Sequence, residues 1–107
     1  KKEETIIQDR IVKKLRSLEW VVMETHGNMY QCGFPDIFAG HRKYGQRWIE
    51  VKRAGKGNYS FTPAQLEWFP VLTGARVGIW ILTNDTDYEI EKLFKPPNWS
   101  DFLRALM

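Results

Sequence analysis

From Glu3 to Leu18 the apolar residues Ile7, Ile11, Leu15 and Leu18 recur every three or four positions, the period of an amphipathic helix. Glu4 and Gln8 lie in the same stripe, so the spacing puts a carboxylate and an amide on the edge of the buried face. An acid in a first helical turn is also favoured by the helix dipole alone. Residues 20 to 25 (WVVMET) predict a strand, and residues 35 to 39 and 46 to 53 two more, joined by the turn HRKYG. In FTPAQLEWFPVLTG, Thr62 is placed to cap a helix, Pro63 to open it and Gln65 to cap back. That helix should stop near Thr73 with Gly74 as its terminator, and Pro70 should kink it or weaken its final turn.

The run 76 to 83 (RVGIWILT) is apolar almost throughout, as a central strand covered on both faces would be. Beyond it NDTD predicts a turn, residues 87 to 94 a short helix and KPPN a break. Asn98 could then cap a last helix with the apolar stripe Trp99, Phe102, Leu103 and Leu106. The pattern is α/β, with a helical tail after the fourth strand. Its 107 residues suit one domain, spanning 1 to 107, with a single core.

Two acids interrupt this apolar plan. If the turn of the second hairpin centres on Lys43, facing residues sum to 86, and Asp36 stands across from Glu50. Side chains alternate along a strand, so Glu50 and Lys52 share a face while Ile49 and Val51 point the other way. Two opposed carboxylates repel each other unless a positive partner lies between them. Mg²⁺ or Mn²⁺ is one such partner, because a site of one or two carboxylates with water and phosphate oxygens suits it. Lys52 adds a cation that could hold a phosphate or align an attacking water. A salt bridge of Lys52 with Asp36 or Glu50 on a solvated sheet face is the plainer alternative. Zinc fits poorly, since His26 and His41 lack partners at ligand spacing.

Charge sharpens the picture. The net charge is +3, yet residues 42 to 56 hold Arg42, Lys43, Arg47, Lys52, Arg53 and Lys56 against Glu50 alone, six basic groups to one acid. Such a stretch could attract DNA, or could be a solvated hairpin whose charges guard a sheet edge. The lone Cys32 excludes an internal disulfide and is read as a loop cysteine. No apolar run approaches the roughly 20 residues that span a bilayer, which points to a cytoplasmic chain with no membrane partner.

The segment Gly33 to Asp36 (G-x-P-D), thirteen further residues, and Glu50 to Lys52 (E-V-K) resemble the active-site motif of the PD-(D/E)xK nuclease superfamily, with the greatest likeness to its stand-alone VRR-NUC domains. The likeness runs from about residue 4 to residue 82. It implies a restriction-endonuclease-like αβββαβ core, a mixed sheet flanked by helices, and Holliday-junction-resolvase-like activity. By the same resemblance Asp36, Glu50 and the Val51 carbonyl are the metal ligands, with Glu4 a further candidate. Lys52 is the catalytic lysine, and Gln65 reaches toward the site from the second helix. Arg42, Lys43, Arg47, Arg53 and Lys56 are then the DNA-binding set. The implied protein is a Mg²⁺- or Mn²⁺-dependent endonuclease, a homodimer acting on branched DNA such as four-way junctions. A catalytically silent nucleic-acid-binding module built on residues 42 to 56 is the rival reading.

Overall fold

A computed structural model of the chain describes residues 3–25, 33–53 and 61–105, with backbone alone for 103–105. His26, Cys32, Lys56, Leu106 and the Leu103 side chain, all named above, lie outside the described residues. The elements run α1 (Glu3–Ser17), β1 (Val21–Glu24), β2 (Ile37–His41), β3 (Gly45–Val51), α2 (Pro63–Gly74), β4 (Ile79–Leu82), α3 (Asp87–Ile90), a 3-10 turn (Glu91–Phe94) and α4 (Trp99–Ala105). The strands form one mixed sheet in the order β1-β2-β3-β4, antiparallel except for the parallel pair β3 and β4. A parallel pair needs a crossover, and α2 lies on it.

Alternation sorts the strand residues onto two faces. On one, Val22, Ala39, Ile37, Ile49, Val51, Trp80 and Leu82 pack against Ile11, Val12 and Leu15 of α1 and against Ile90 and Leu93. On the other, Ile79 and Ile81 pack with Phe69 of α2 and Trp99 of α4, with Trp48, Phe61, Leu72, Val77 and Phe102 at their margin. The stripe Trp99–Phe102 therefore faces the chain's own core.

Both long helices end in the same way, and without glycine. Trp20 N–H donates to the Leu15 carbonyl and Glu19 N–H to the Arg16 carbonyl, while Glu19 takes a φ of 70°. At the end of α2, Val77 N–H donates to Leu72 and Arg76 N–H to Thr73, with Arg76 at a φ of 67°. These are Schellman caps, each with an apolar pair, Leu15 with Trp20 and Leu72 with Val77, at its base. Gly74, the expected terminator, is the last residue inside α2, and Arg76 makes the left-handed turn instead. The helix is continuous past Pro70, and Ala75 N–H closes its last turn on the Val71 carbonyl at 3.1 Å. Leu18 sits at the turn after α1 and is exposed.

The strand expected at the centre of the sheet is at its end. β4 is nonetheless buried at all four positions, because both of its faces are covered, and along its free edge side chains take the place of a neighbouring strand. The Asn98 amide accepts from Ile81 N–H at 2.6 Å and donates to the Ile81 carbonyl at 3.2 Å. Glu89 Oε1 accepts from Thr83 N–H at 2.8 Å. Asn98, expected as a helix cap, uses its side chain as a strand partner. Among the described residues, no helix is long and apolar enough to cross a membrane.

Candidate active site

The hairpin register is the one that the turn position implies. Ile37 faces Ile49, Phe38 faces Trp48 and His41 faces Gly45, each pair summing to 86, and Gly45 supplies the positive φ of 83° that closes the turn. Asp36, one residue before the paired stretch, reaches across to β3, where its Oδ2 accepts from Val51 N–H at 2.8 Å. In a strand the N–H and C=O of one residue point to the same side. The Val51 carbonyl therefore faces the Asp36 side as well.

Glu50, Lys52 and Gln65 are 2%, 5% and 6% exposed, which rules out a solvated surface salt bridge. Gln65 organises the group. Its Nε2 donates to Glu50 Oε2 at 2.8 Å, and its Oε1 accepts from Lys52 Nζ at 2.9 Å. The same Oε1 accepts from Thr62 N–H at 3.1 Å while Thr62 Oγ1 accepts from Gln65 N–H at 3.1 Å. One side chain thus completes the capping box and reaches the buried acid. Lys52 Nζ also lies 3.2 Å from Glu50 Oε2 and 4.8 Å from the centre of the Phe61 ring.

Gly33 explains how α2 comes so close. A Cβ there would meet Trp68 at 2.6 Å, so only a glycine lets the helix that carries Gln65 pack on the chain leading into Asp36. Neither Gly33 with Trp68 nor Phe61 with Lys52 was recognisable from residue spacing, since both are contacts between elements distant in sequence.

The electrostatics are unfavourable as the carboxyls stand. Burial, then the charge of Asp36, pushes Glu50 up to about 8, against the opposing pull of Lys52 and Gln65. Burial likewise raises Asp36, partly offset by the Val51 N–H bond and the Lys52 charge. Glu50 Oε1 is buried with no hydrogen-bond partner. A proton on Glu50, hydrogen-bonded to Asp36, relieves part of this cost, and when Glu50 is ionised a buried oxygen without a donor has room for a cation as its partner. That orphan oxygen and the paired acids fit a divalent ion held by two carboxylates, a backbone carbonyl and water. Among the described residues, no cluster of three or more His, Cys, Asp or Glu side chains forms a denser cage.

The outlying residues are arranged differently from one another. Glu4 is exposed, yet its charge contributes to raising Asp36. Gln8 turns away and donates to Glu24 Oε1 at 3.0 Å. Arg42 and Lys43 are exposed at the hairpin tip, separated from the acids by the length of β3, roughly 20 Å at the usual strand rise. Arg47 has structural work. Its Nε donates to the Leu93 carbonyl at 2.7 Å, Nη1 donates to the Tyr44 and Gln46 carbonyls, and its guanidinium stacks 4.9 Å from the Trp80 ring. Arg53 is exposed at the acid end and pairs with Glu3 at 3.0 Å. The basic stretch therefore divides between the two ends of the hairpin. Scans of the chain against protein-family models and against curated proteins find no match.

Proposed function

We propose that the chain is a Mg²⁺- or Mn²⁺-dependent deoxyribonuclease of the PD-(D/E)xK kind, with a restriction-endonuclease-like core. The observation that carries this reading is the partnerless Glu50 Oε1, buried beside a second acid and a lysine. A purely structural salt bridge has no use for an orphaned carboxylate oxygen or for Asp36 opposite it. The motif resemblance and the element order from α1 to β4 support the same reading.

In this reading Asp36, Glu50 and the Val51 carbonyl would hold the ion, which when bound supplies Lewis acidity toward a phosphodiester and an acidified water. Lys52 is the catalytic lysine, placed to hold the scissile phosphate or align the water. Gln65 positions it, because its bond to Lys52 Nζ holds the ammonium even where Glu50 engages a cation. Arg42, Lys43 and Arg53 supply positive charge for the DNA backbone, and Glu4 adds negative field near the ion. Branched DNA and a homodimer belong to the same proposal. Trp99 itself is 5% exposed in the core of its own chain and is not available to a symmetric contact.

The test is incubation with branched, linear duplex and single-stranded DNA, with and without Mg²⁺ or Mn²⁺. Cleavage should require the ion and fall by on the order of a thousandfold in Asp36→Asn, Glu50→Gln and Lys52→Ala. In calorimetry, the two acid variants should lose Mn²⁺ binding while Lys52→Ala keeps it. Cleavage undiminished in Glu50→Gln would overturn the assignment.

A further inference from the structure

Among the described residues, only half of the sheet face that carries Asp36 and Glu50 is covered. Phe69 and Trp99 lie over Ile79 and Ile81 at the β4 side. Toward β1 the same face presents Val21 and Met23, 67% and 63% exposed, opposite Gly40 and Phe38 in the register. Two aromatic rings stand between this open strip and the acids, and a third lies beside them. Phe38 and Trp48 face each other directly across the hairpin, with ring centres 5.1 Å apart, and both are half-buried. The Phe34 ring, 42% exposed, lies 6.0 Å from Trp48. The Phe38 ring lies over Gly40, at ordinary van der Waals distance, 3.5 Å, from where a Cβ would be.

Order along the hairpin follows from alternation. Asp36 and Glu50 come first, Phe38 and Trp48 are the next pair on the same face, and Gly40 and Gln46 the next. Beyond them is the tip with exposed Arg42 and Lys43. Acids, rings, a flat step and basic groups thus follow one another along a single track. A base pair inside a duplex hides both faces of its rings in the stack, so rings beside a phosphate-handling site gain contact only from a base that is out of it. Backbone charge is then met by the basic tip.

We propose that Phe34, Phe38 and Trp48 form a stacking platform for single-stranded nucleic acid, so that the strand entering the acid site runs along this hairpin face with an unpaired base on the rings and its backbone toward Arg42 and Lys43. This rests on the nuclease reading and adds the substrate class: strands with unpaired nucleotides next to the scissile phosphate, as at flaps, forks and open junctions.

The test is fluorescence anisotropy with a labelled oligothymidylate and a blunt duplex of equal length, in EDTA so that no cleavage occurs. The single strand should bind about tenfold more tightly than the duplex, and Phe34→Ala and Phe38→Leu should each weaken it by roughly five- to tenfold. Phe38→Tyr should restore binding, and duplex binding should not respond to any of these. Phe34 is exposed, so its variant tests the platform even if Phe38→Leu unfolds. Equal affinity for both DNAs, or single-strand binding unmoved in Phe34→Ala and in folded Phe38→Leu, overturns the platform. Light scattering that shows a dimer dissolved by Phe34→Ala, with single-strand binding intact, assigns the strip to a second copy and overturns it too. The nuclease reading fails separately, on absence of Mn²⁺-dependent cleavage while ring-dependent binding persists.

Discussion

Two buried glutamates stand near the carboxyl ends of neighbouring strands, and they are used in opposite ways. Glu89 is 4% exposed and both its oxygens are occupied. Oε1 accepts from Thr83 N–H at 2.8 Å and from Thr83 Oγ1 at 2.9 Å, and Oε2 pairs with Lys92. Glu50 is just as buried, but its Oε2 takes both Gln65 and Lys52 while Oε1 has no partner. Equal burial therefore says little about role. What distinguishes an acid that holds a fold together from one with room for a further partner is whether its lone pairs are satisfied.

The sharpest way to break the comparison is to remove the satisfied acid. Glu89→Ala leaves the Thr83 N–H and Lys92 without their partner, and should destabilise the protein by about 3 kcal/mol. Differential scanning calorimetry should then record a Tm lower by on the order of 10 °C or more. Mn²⁺ affinity of the folded variant should match the parent. A stable Glu89→Ala, or one that is folded yet blind to Mn²⁺, would collapse the distinction.

The second test uses pH. Burial and the charge of Asp36 raise Glu50 to about 8 from an ordinary 4.5, so across that interval the folded protein holds a proton that the unfolded chain has released. Stability of the metal-free protein is favoured below about pH 4.5 as far as this group is concerned, and is lost progressively as the pH rises toward 8. Between pH 5 and pH 8 its Tm should fall by about 5 °C or more. Glu50→Gln should flatten that slope, and saturating Mn²⁺ should do the same in the parent. A slope unchanged in Glu50→Gln would place the titration elsewhere. Asp36→Ala is a poorer probe, since it also strands the Val51 N–H.

The smallest effect concerns Glu4. It is exposed and acts on Asp36 through its charge, so Glu4→Gln should weaken Mn²⁺ binding by only about two- to threefold in low salt, and by less at high ionic strength. A tenfold loss that survives high salt would make Glu4 a ligand.

The parts legible in the sequence were those fixed by local rules. Period 2 and the position of one turn gave the 86 register, and with it the opposition of Asp36 and Glu50. Thr62, Pro63 and Gln65 announced the start of α2 because a capping box is confined to four residues. Phe38 and Trp48 could have been found by the same sum, as they share the parity of the acids. What escaped was decided between distant elements. Arg47 carries the same charge as its neighbours, and only the fold brings the Leu93 carbonyl and the Trp80 ring to it. Asn98 has the composition of a cap, yet an open strand edge competes for its amide. Gly74 has the right residue type for a helix stop, but the apolar pair Leu72 and Val77 sets the turn two residues later, on Arg76.

The clasp on β4 has a consequence for where this chain can be cut. The segment after Thr83 follows the last strand of the sheet, which invites its removal as an appendage. Yet Asn98 and Glu89 occupy the outward backbone groups of Ile81 and the Thr83 N–H, and Trp99 fills the core beneath. A chain ended at residue 84 would present a fully apolar strand with unpaired amides, a template for lateral growth into fibrils. The tail is the protein's own blocking strand in side-chain form.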